Sequence, residues 1–156
     1  MAQHSDEMWM KKALSLAKEA FDAGEIPVGA VLVRDGEVIA ESRNRCEELC
    51  DATAHAERLA ISEGGERTGC WRLSGCTLYV TMEPCPMCMG SVINARVDRV
   101  VYGTKDPRAG ACESLIRMSA LPLESSPECM GGVLAEDSRA LLRTFFEKRR
   151  TKTLKK

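Results

Sequence analysis

Apolar residues recur along positions 8 to 23 at Met10, Ala13, Leu14, Ala17, Ala20 and Phe21. That spacing lines one side of an α-helix, and Gly24 follows as a stop. The period then changes. Gly29-Ala-Val-Leu-Val33 is a β-branched apolar run, Arg34-Asp-Gly36 carries an Asp-Gly turn signal, and Glu37-Val-Ile-Ala-Glu-Ser42 resumes as extended chain. The stretch therefore predicts an antiparallel hairpin. After a polar, cysteine-bearing loop from Asn44 to Asp51, helical spacing returns through Ala56, Leu59, Ala60 and Ile61, with Gly64-Gly65 as its expected end.

The second half alternates the two periods. Thr77-Leu-Tyr-Val-Thr81 reads as a strand, Pro84 to Ala95 as a helix with Pro in its first turn, and Arg99-Val-Val-Tyr102 as another strand. Strands alternating with helices favour a layered α/β domain with parallel pairings. Residues 103 to 127 show no clear period, Glu128-Cys-Met reads as a last edge strand, and Glu136 to Arg149 as a terminal helix. At 156 residues, with no repeat or low-complexity segment, the chain predicts one domain over 1–150 followed by a basic tail, 151–156.

The formal net charge of -1 conceals an asymmetry. Residues 139 to 156 hold eight Lys or Arg against one acid, Glu147, which leaves 14 basic and 22 acidic residues before them. A basic end of this kind is either a solvated face or a nucleic-acid contact. The first dozen residues contain acids and no apolar run of signal-peptide length, and no segment approaches the ~18 apolar residues of a membrane span. The expected setting is the cytoplasm, away from membranes. There the eight cysteines point to metal binding or plain burial rather than to a disulfide scaffold.

Pro84-Cys85-Pro86-Met87-Cys88 places two sulfurs three residues apart on one face at the positive end of a helix, which favours thiolates and a shared metal. Alone, this C-x-x-C fits a redox dithiol, a zinc site or two buried cysteines. A redox dithiol of the thioredoxin kind would follow the first strand of its fold, whereas here a hairpin, a helix and a third strand precede it.

A catalytic zinc takes three protein ligands and keeps a fourth position open for a water whose pKa it lowers to ~7. His55, Cys85 and Cys88 make such a set, with Glu57 as a carboxylate to carry protons. His55 and Glu57 sit two residues apart, about 200° around a regular helix, so they cannot share a face. They can still converge on something beyond a helix end. The spacing implies a site at a helix N-terminus.

Thr53-Ala-His-Ala-Glu57 together with Met82-Glu-Pro-Cys-Pro-Met-Cys88 resembles the H-x-E and P-C-x-x-C signature of the zinc-dependent cytidine deaminase superfamily. More narrowly, residues 25–33, 44–45, 51–57, 78–88, 99–106, 131–136 and 145–150 are similar, in order, to the bacterial tRNA-specific adenosine deaminases of that superfamily. The resemblance implies a three-layer α/β/α fold with a mixed central sheet of about five strands. It also implies a homodimer with one zinc per subunit, which converts the wobble adenosine of a tRNA anticodon stem-loop to inosine.

By the same resemblance His55, Cys85 and Cys88 hold the metal, and Glu57 moves protons between a water, ring N1 and the departing ammonia. Asn44 contacts the base edge, Val28 lines the pocket, Asp106 meets the nucleotide beside the target, and Arg149 and Arg150 meet phosphates. The chain departs from the pattern at Ala52, where the family carries Pro, at Glu113, where it carries Gly, and across 119–130, which lacks an Asn-His pair. Two other readings stand beside this one. One is a deaminase of free guanine, cytosine or adenosine on the same scaffold. The other is a structural four-cysteine zinc module built from Cys46, Cys50, Cys85 and Cys88.

Overall fold

A computed structural model describes the backbone of residues 2–154 and the side chains of residues 5–154. The elements run α1 (Ala2–Asp22), β1 (Gly29–Arg34), β2 (Glu37–Arg43), α2 (Cys46–Leu49), α3 (Ala56–Thr68), β3 (Cys76–Met82), α4 (Pro86–Asn94), β4 (Arg99–Thr104), β5 (Glu128–Met130) and α5 (Ala135–Leu154). The strands form one sheet in the order β2-β1-β3-β4-β5. β1 pairs antiparallel with both β2 and β3, while β3–β4 and β4–β5 are parallel. The sheet is mixed and five-stranded, as expected.

Period-2 alternation sorts the strand residues onto two faces. Val31, Val33, Tyr79 and Val101 pack with Met10 and Ala13 of α1. Their neighbours Ala30, Leu32, Leu78, Val80, Val100 and Tyr102 pack with Ala56 and Ala60 of α3 and Met89 and Val92 of α4. Helices therefore cover both faces, in three layers. In the hairpin turn Asp35 and Gly36 both take positive φ, 53° and 74°, the backbone that a two-residue Asp-Gly loop requires.

α1 begins at Ala2, ahead of the stretch from 8 to 23 that the apolar spacing marks, and three further differences from the sequence reading each have a physical reason. α3 does not stop at Gly64-Gly65 but runs on to Thr68, and Gly69 ends it in the left-handed conformation at φ 69°. Gly64 is an interior packing position: a Cβ there would lie 2.6 Å from Leu32 Cδ2. The loop from Asn44 to Asp51 contains the short helix α2, because the buried carboxylate of Glu25 accepts the Glu47 N–H at 2.7 Å. α5 continues past Arg149 to Leu154, so positions 151–154 of the basic tail are helical; Lys155 and Lys156 lie outside the described residues.

A buried ion pair ties α1 to the sheet. Asp6, 1% exposed, receives two bonds from the Arg99 guanidinium and one from the Tyr79 hydroxyl, all at 2.9 Å. Among the described residues no helix is long and apolar enough to cross a membrane.

Candidate active site

Two helix N-termini meet at one end of β3. His55 is the N-cap of α3 and Cys85 the N-cap of α4, both with extended backbone, and Pro86 opens α4. Glu57 and Cys88 follow in the first turns of the two helices. The awkward i, i+2 pair thus resolves as a cap residue and a first-turn residue, both at the positive end of a helix dipole.

His55 Nδ1 lies 3.6 Å from Cys85 Sγ and 3.5 Å from Cys88 Sγ, and the three ligand atoms all fall within 4.8 Å of one another. A tetrahedral zinc bound at ~2.3 Å to sulfur and ~2.0–2.1 Å to nitrogen sets those atoms about 3.6 Å apart. The donor set therefore fits zinc in type and in spacing. Cys46 and Cys50 are not brought to it: the Cys46 thiol donates to Asn44 Oδ1 at 3.1 Å, and the Cys50 thiol to the Glu47 carbonyl. Among the described residues, the group able to hold a metal is the histidine with the two downstream cysteines. The four-cysteine reading fails on this geometry.

The local field agrees with a metal centre. The Cys88 thiol and the neighbouring His55 bring Cys85 down to about 4 against the opposing effect of burial. Cys88, bonded to Cys85 and buried, is pushed far up. One thiolate is thus shared by two sulfurs until a cation displaces the remaining proton. The bond to Cys85 holds His55 above the ordinary imidazole value despite its burial. Burial pushes the Glu57 carboxyl up to about 7, while its own backbone N–H and His55 pull the other way; a dication among the ligands would draw it down again.

His55, Glu57 and Cys85 form the floor of a cavity of about 1030 Å³, and Cys88, fully buried, completes the donor set beside them. Asn44, Val28 and Asp106 line its walls, and Arg149 and Arg150 from α5 lie along its outer part. Asn44 is 7% exposed, and its amide is anchored on both sides. Its Nδ2 donates to the Ile26 carbonyl at 3.4 Å while its Oδ1 accepts from Cys46, which leaves one N–H and one lone pair of the amide. Asp106 Oδ1 accepts the N–H groups of Arg108 and Ala109 at 3.0 and 3.3 Å, shaping the turn it belongs to. Arg149 also pairs with Glu47 of α2 at 3.3 Å, joining the end of α5 to that short helix.

The sequence reading missed several lining residues. Ile26, Leu142 and Phe146 are apolar positions that looked like ordinary core, and Pro107 to Ala109 fell in the aperiodic stretch. Glu83 carries no role in the sequence reading beyond its place in Met82-Glu-Pro-Cys85. It is 2% exposed at the cavity wall. The one available signal was an acid placed between a strand of apolar residues and a proline.

Comparison with known proteins agrees with the geometry. Residues 3–104 match the family described as cytidine and deoxycytidylate deaminase zinc-binding region. The tRNA-specific adenosine deaminase of Bacillus subtilis is 45% identical over 148 residues, covering 94% of this chain and 92% of that protein. A solved structure from studies of A-to-I editing by tRNA A34 deaminases superposes with a TM-score of 0.84 at 44% identity, covering 86% of this chain and 98% of the other. A guanine deaminase from Nitrosomonas europaea superposes at 0.75 with 26% identity, covering 89% and 83%. With its His/Cys/Cys set, its first-turn glutamate and its mixed sheet, the chain belongs to the zinc-binding cytidine and deoxycytidylate deaminase family, in the branch of the tRNA-specific adenosine deaminases.

Proposed function

We propose that this protein hydrolytically deaminates adenosine to inosine at the wobble position of a tRNA anticodon, in the cytoplasm, as a homodimer with one zinc per subunit. The observation that carries the reading is the make-up of a single cavity. His55, Cys85 and a buried carboxylate form its floor, with Cys88 completing the donor set beside it, an asparagine amide and apolar side chains form its wall, and two arginines lie at its outer edge. Its volume of about 1030 Å³ lies at the top of the ~300–1,000 Å³ that holds a drug-sized ligand. That is room for a splayed base and part of its neighbours.

His55 Nδ1, Cys85 Sγ and Cys88 Sγ hold the zinc, which when bound supplies a Lewis acid able to lower the pKa of a water to ~7. The Glu57 carboxyl, buried beside the donor set, takes up a proton from water. It returns protons to N1 of the purine and to the leaving ammonia. Asn44 uses its remaining donor and acceptor on the base edge, and Val28 and Ile26 exclude water from the ring face. Asp106 contacts the nucleotide beside the target, while Arg149 and Arg150 meet backbone phosphates and hold the register. Exposed apolar side chains outside the cavity, among them Trp71, Leu115, Ile116 and Leu123, support self-association, which sedimentation of the zinc-loaded protein measures.

The guanine deaminase neighbour keeps a free base as the second reading. The two separate in one assay. Zinc-loaded protein is incubated with an anticodon stem-loop carrying a wobble adenosine and, in parallel, with free guanine, adenosine and cytidine. Inosine in the stem-loop alone is the expected outcome. Turnover of a free base without any inosine in the stem-loop replaces the reading.

A further inference from the structure

Glu83 is among the most heavily hydrogen-bonded side chains of the molecule, and nothing in the chemistry above uses it. Its Oε1 accepts the backbone N–H groups of Cys112, Glu113 and Ser114 at 3.2, 2.8 and 2.9 Å. Its Oε2 accepts the Asp106 N–H at 2.9 Å and the Ser114 hydroxyl at 2.5 Å. All these donors lie in the stretch after β4, where periodic structure is sparse and the backbone has few strand or helix partners of its own. The carboxylate replaces the missing ladder.

The fit is close on the other side as well. A Cβ at Gly110 would collide with the Glu83 carboxylate and with the Asp106 carbonyl, so the loop wraps the carboxylate as tightly as backbone allows. Glu83 is also two residues from Cys85, and its N–H donates to the Thr104 carbonyl at 2.9 Å. One short segment, Glu83-Pro84-Cys85, therefore supplies both a metal ligand and the anchor for residues 106–114. The wall formed by Asp106 to Ala109 is fixed relative to the floor.

We propose that Glu83 is the positioning residue for substrate: it holds the Asp106–Ala109 wall in register with the floor formed by His55, Glu57 and Cys85, so that the nucleotides flanking the target base meet a preformed surface. This inference rests on the wobble-adenosine reading for its substrate. A carboxylate is required because it offers acceptors only, and five donors converge on it. An amide would turn an NH2 against backbone N–H groups.

The test is Glu83→Gln in the full-length, zinc-loaded protein, beside the milder Ser114→Ala, which removes only the hydroxyl donor. Zinc content, kcat and KM for the anticodon stem-loop, and amide hydrogen exchange at Asp106, Cys112, Glu113 and Ser114 are measured. Glu83→Gln is expected to keep its zinc, to raise KM at least tenfold with kcat within about threefold, and to speed exchange at those four amides at least a hundredfold. Ser114→Ala is expected to raise KM about threefold. A purely structural role would lower the melting temperature of both variants and leave KM unchanged, and that result overturns the proposal. So does loss of zinc in both variants. If the wild type does not act on the stem-loop, the substrate reading falls on its own, and the exchange rates still decide: unchanged exchange at the four amides removes the positioning role.

Discussion

His55 and Glu57 stand two residues apart, and the structure gives them separate positions: a cap side chain aimed at two sulfurs, and a first-turn carboxylate 5% exposed beside them. If Glu57 only moves protons, removing it must spare the metal. Cys85→Ala, by contrast, is expected to lose zinc, because two ligands cannot close the site, whereas Cys46→Ala and Cys50→Ala keep full zinc content by elemental analysis. Retained metal in Cys85→Ala would contradict the ligand assignment. The metal set was legible in the sequence because its chemistry demands particular residue types at short spacings, His-x-Glu and Cys-x-x-Cys. Glu83 was not. Its partners lie 23 to 31 residues downstream, and a carboxylate that organises a distant loop looks, in one dimension, like any charged turn residue.

Secondary structure was readable where local periodicity and tertiary packing agree. The hairpin, β3, α4 and β4 all lie within two or three residues of the positions that alternation and turn chemistry predict. α3 overruns its expected end because Gly64 serves close contact with Leu32 of β1 rather than termination. Gly64→Val is accordingly expected to lower stability by about 2–3 kcal/mol through overpacking, read as a drop in the denaturant midpoint without a change in slope; an unchanged midpoint would mean that the helix can shift away from the sheet. The α1 anchor makes a pH-dependent prediction. The Arg99 guanidinium, bonded to Asp6, holds that carboxyl below the usual carboxylate range despite its burial. The pair's contribution is therefore complete above about pH 4 and is lost as pH falls through the lower native value. Asp6→Asn is expected to cost about 3 kcal/mol at pH 7, and its thermal midpoint should decline less steeply than that of the wild type between pH 4 and 2. Parallel declines would place the acid sensitivity elsewhere.

Across the whole molecule, the charge asymmetry acquires a location. The basic residues from Arg139 to Lys152 lie on a helix whose last turns, with Arg149, Arg150, Thr153 and Leu154, border the cavity, while the acid-rich remainder forms the body of the fold. Composition disclosed the asymmetry, but only packing of α5 against α1 and β4 brings its positive end to the site. If Arg149 and Arg150 each neutralise one phosphate, the double alanine variant should weaken stem-loop binding and reduce the slope of log affinity against log salt by about 2. An unchanged slope would return the arginines to a solvated helix face.

The measurement closest to the central claim is single-turnover deamination of a wobble-adenosine stem-loop by the wild type and by Glu57→Ala, both assayed for zinc. The account predicts inosine from the wild type and a rate at least ~10³-fold lower, the scale of a lost general acid and base, from a variant that keeps its zinc. Inosine formed at equal rates by the two proteins would contradict it.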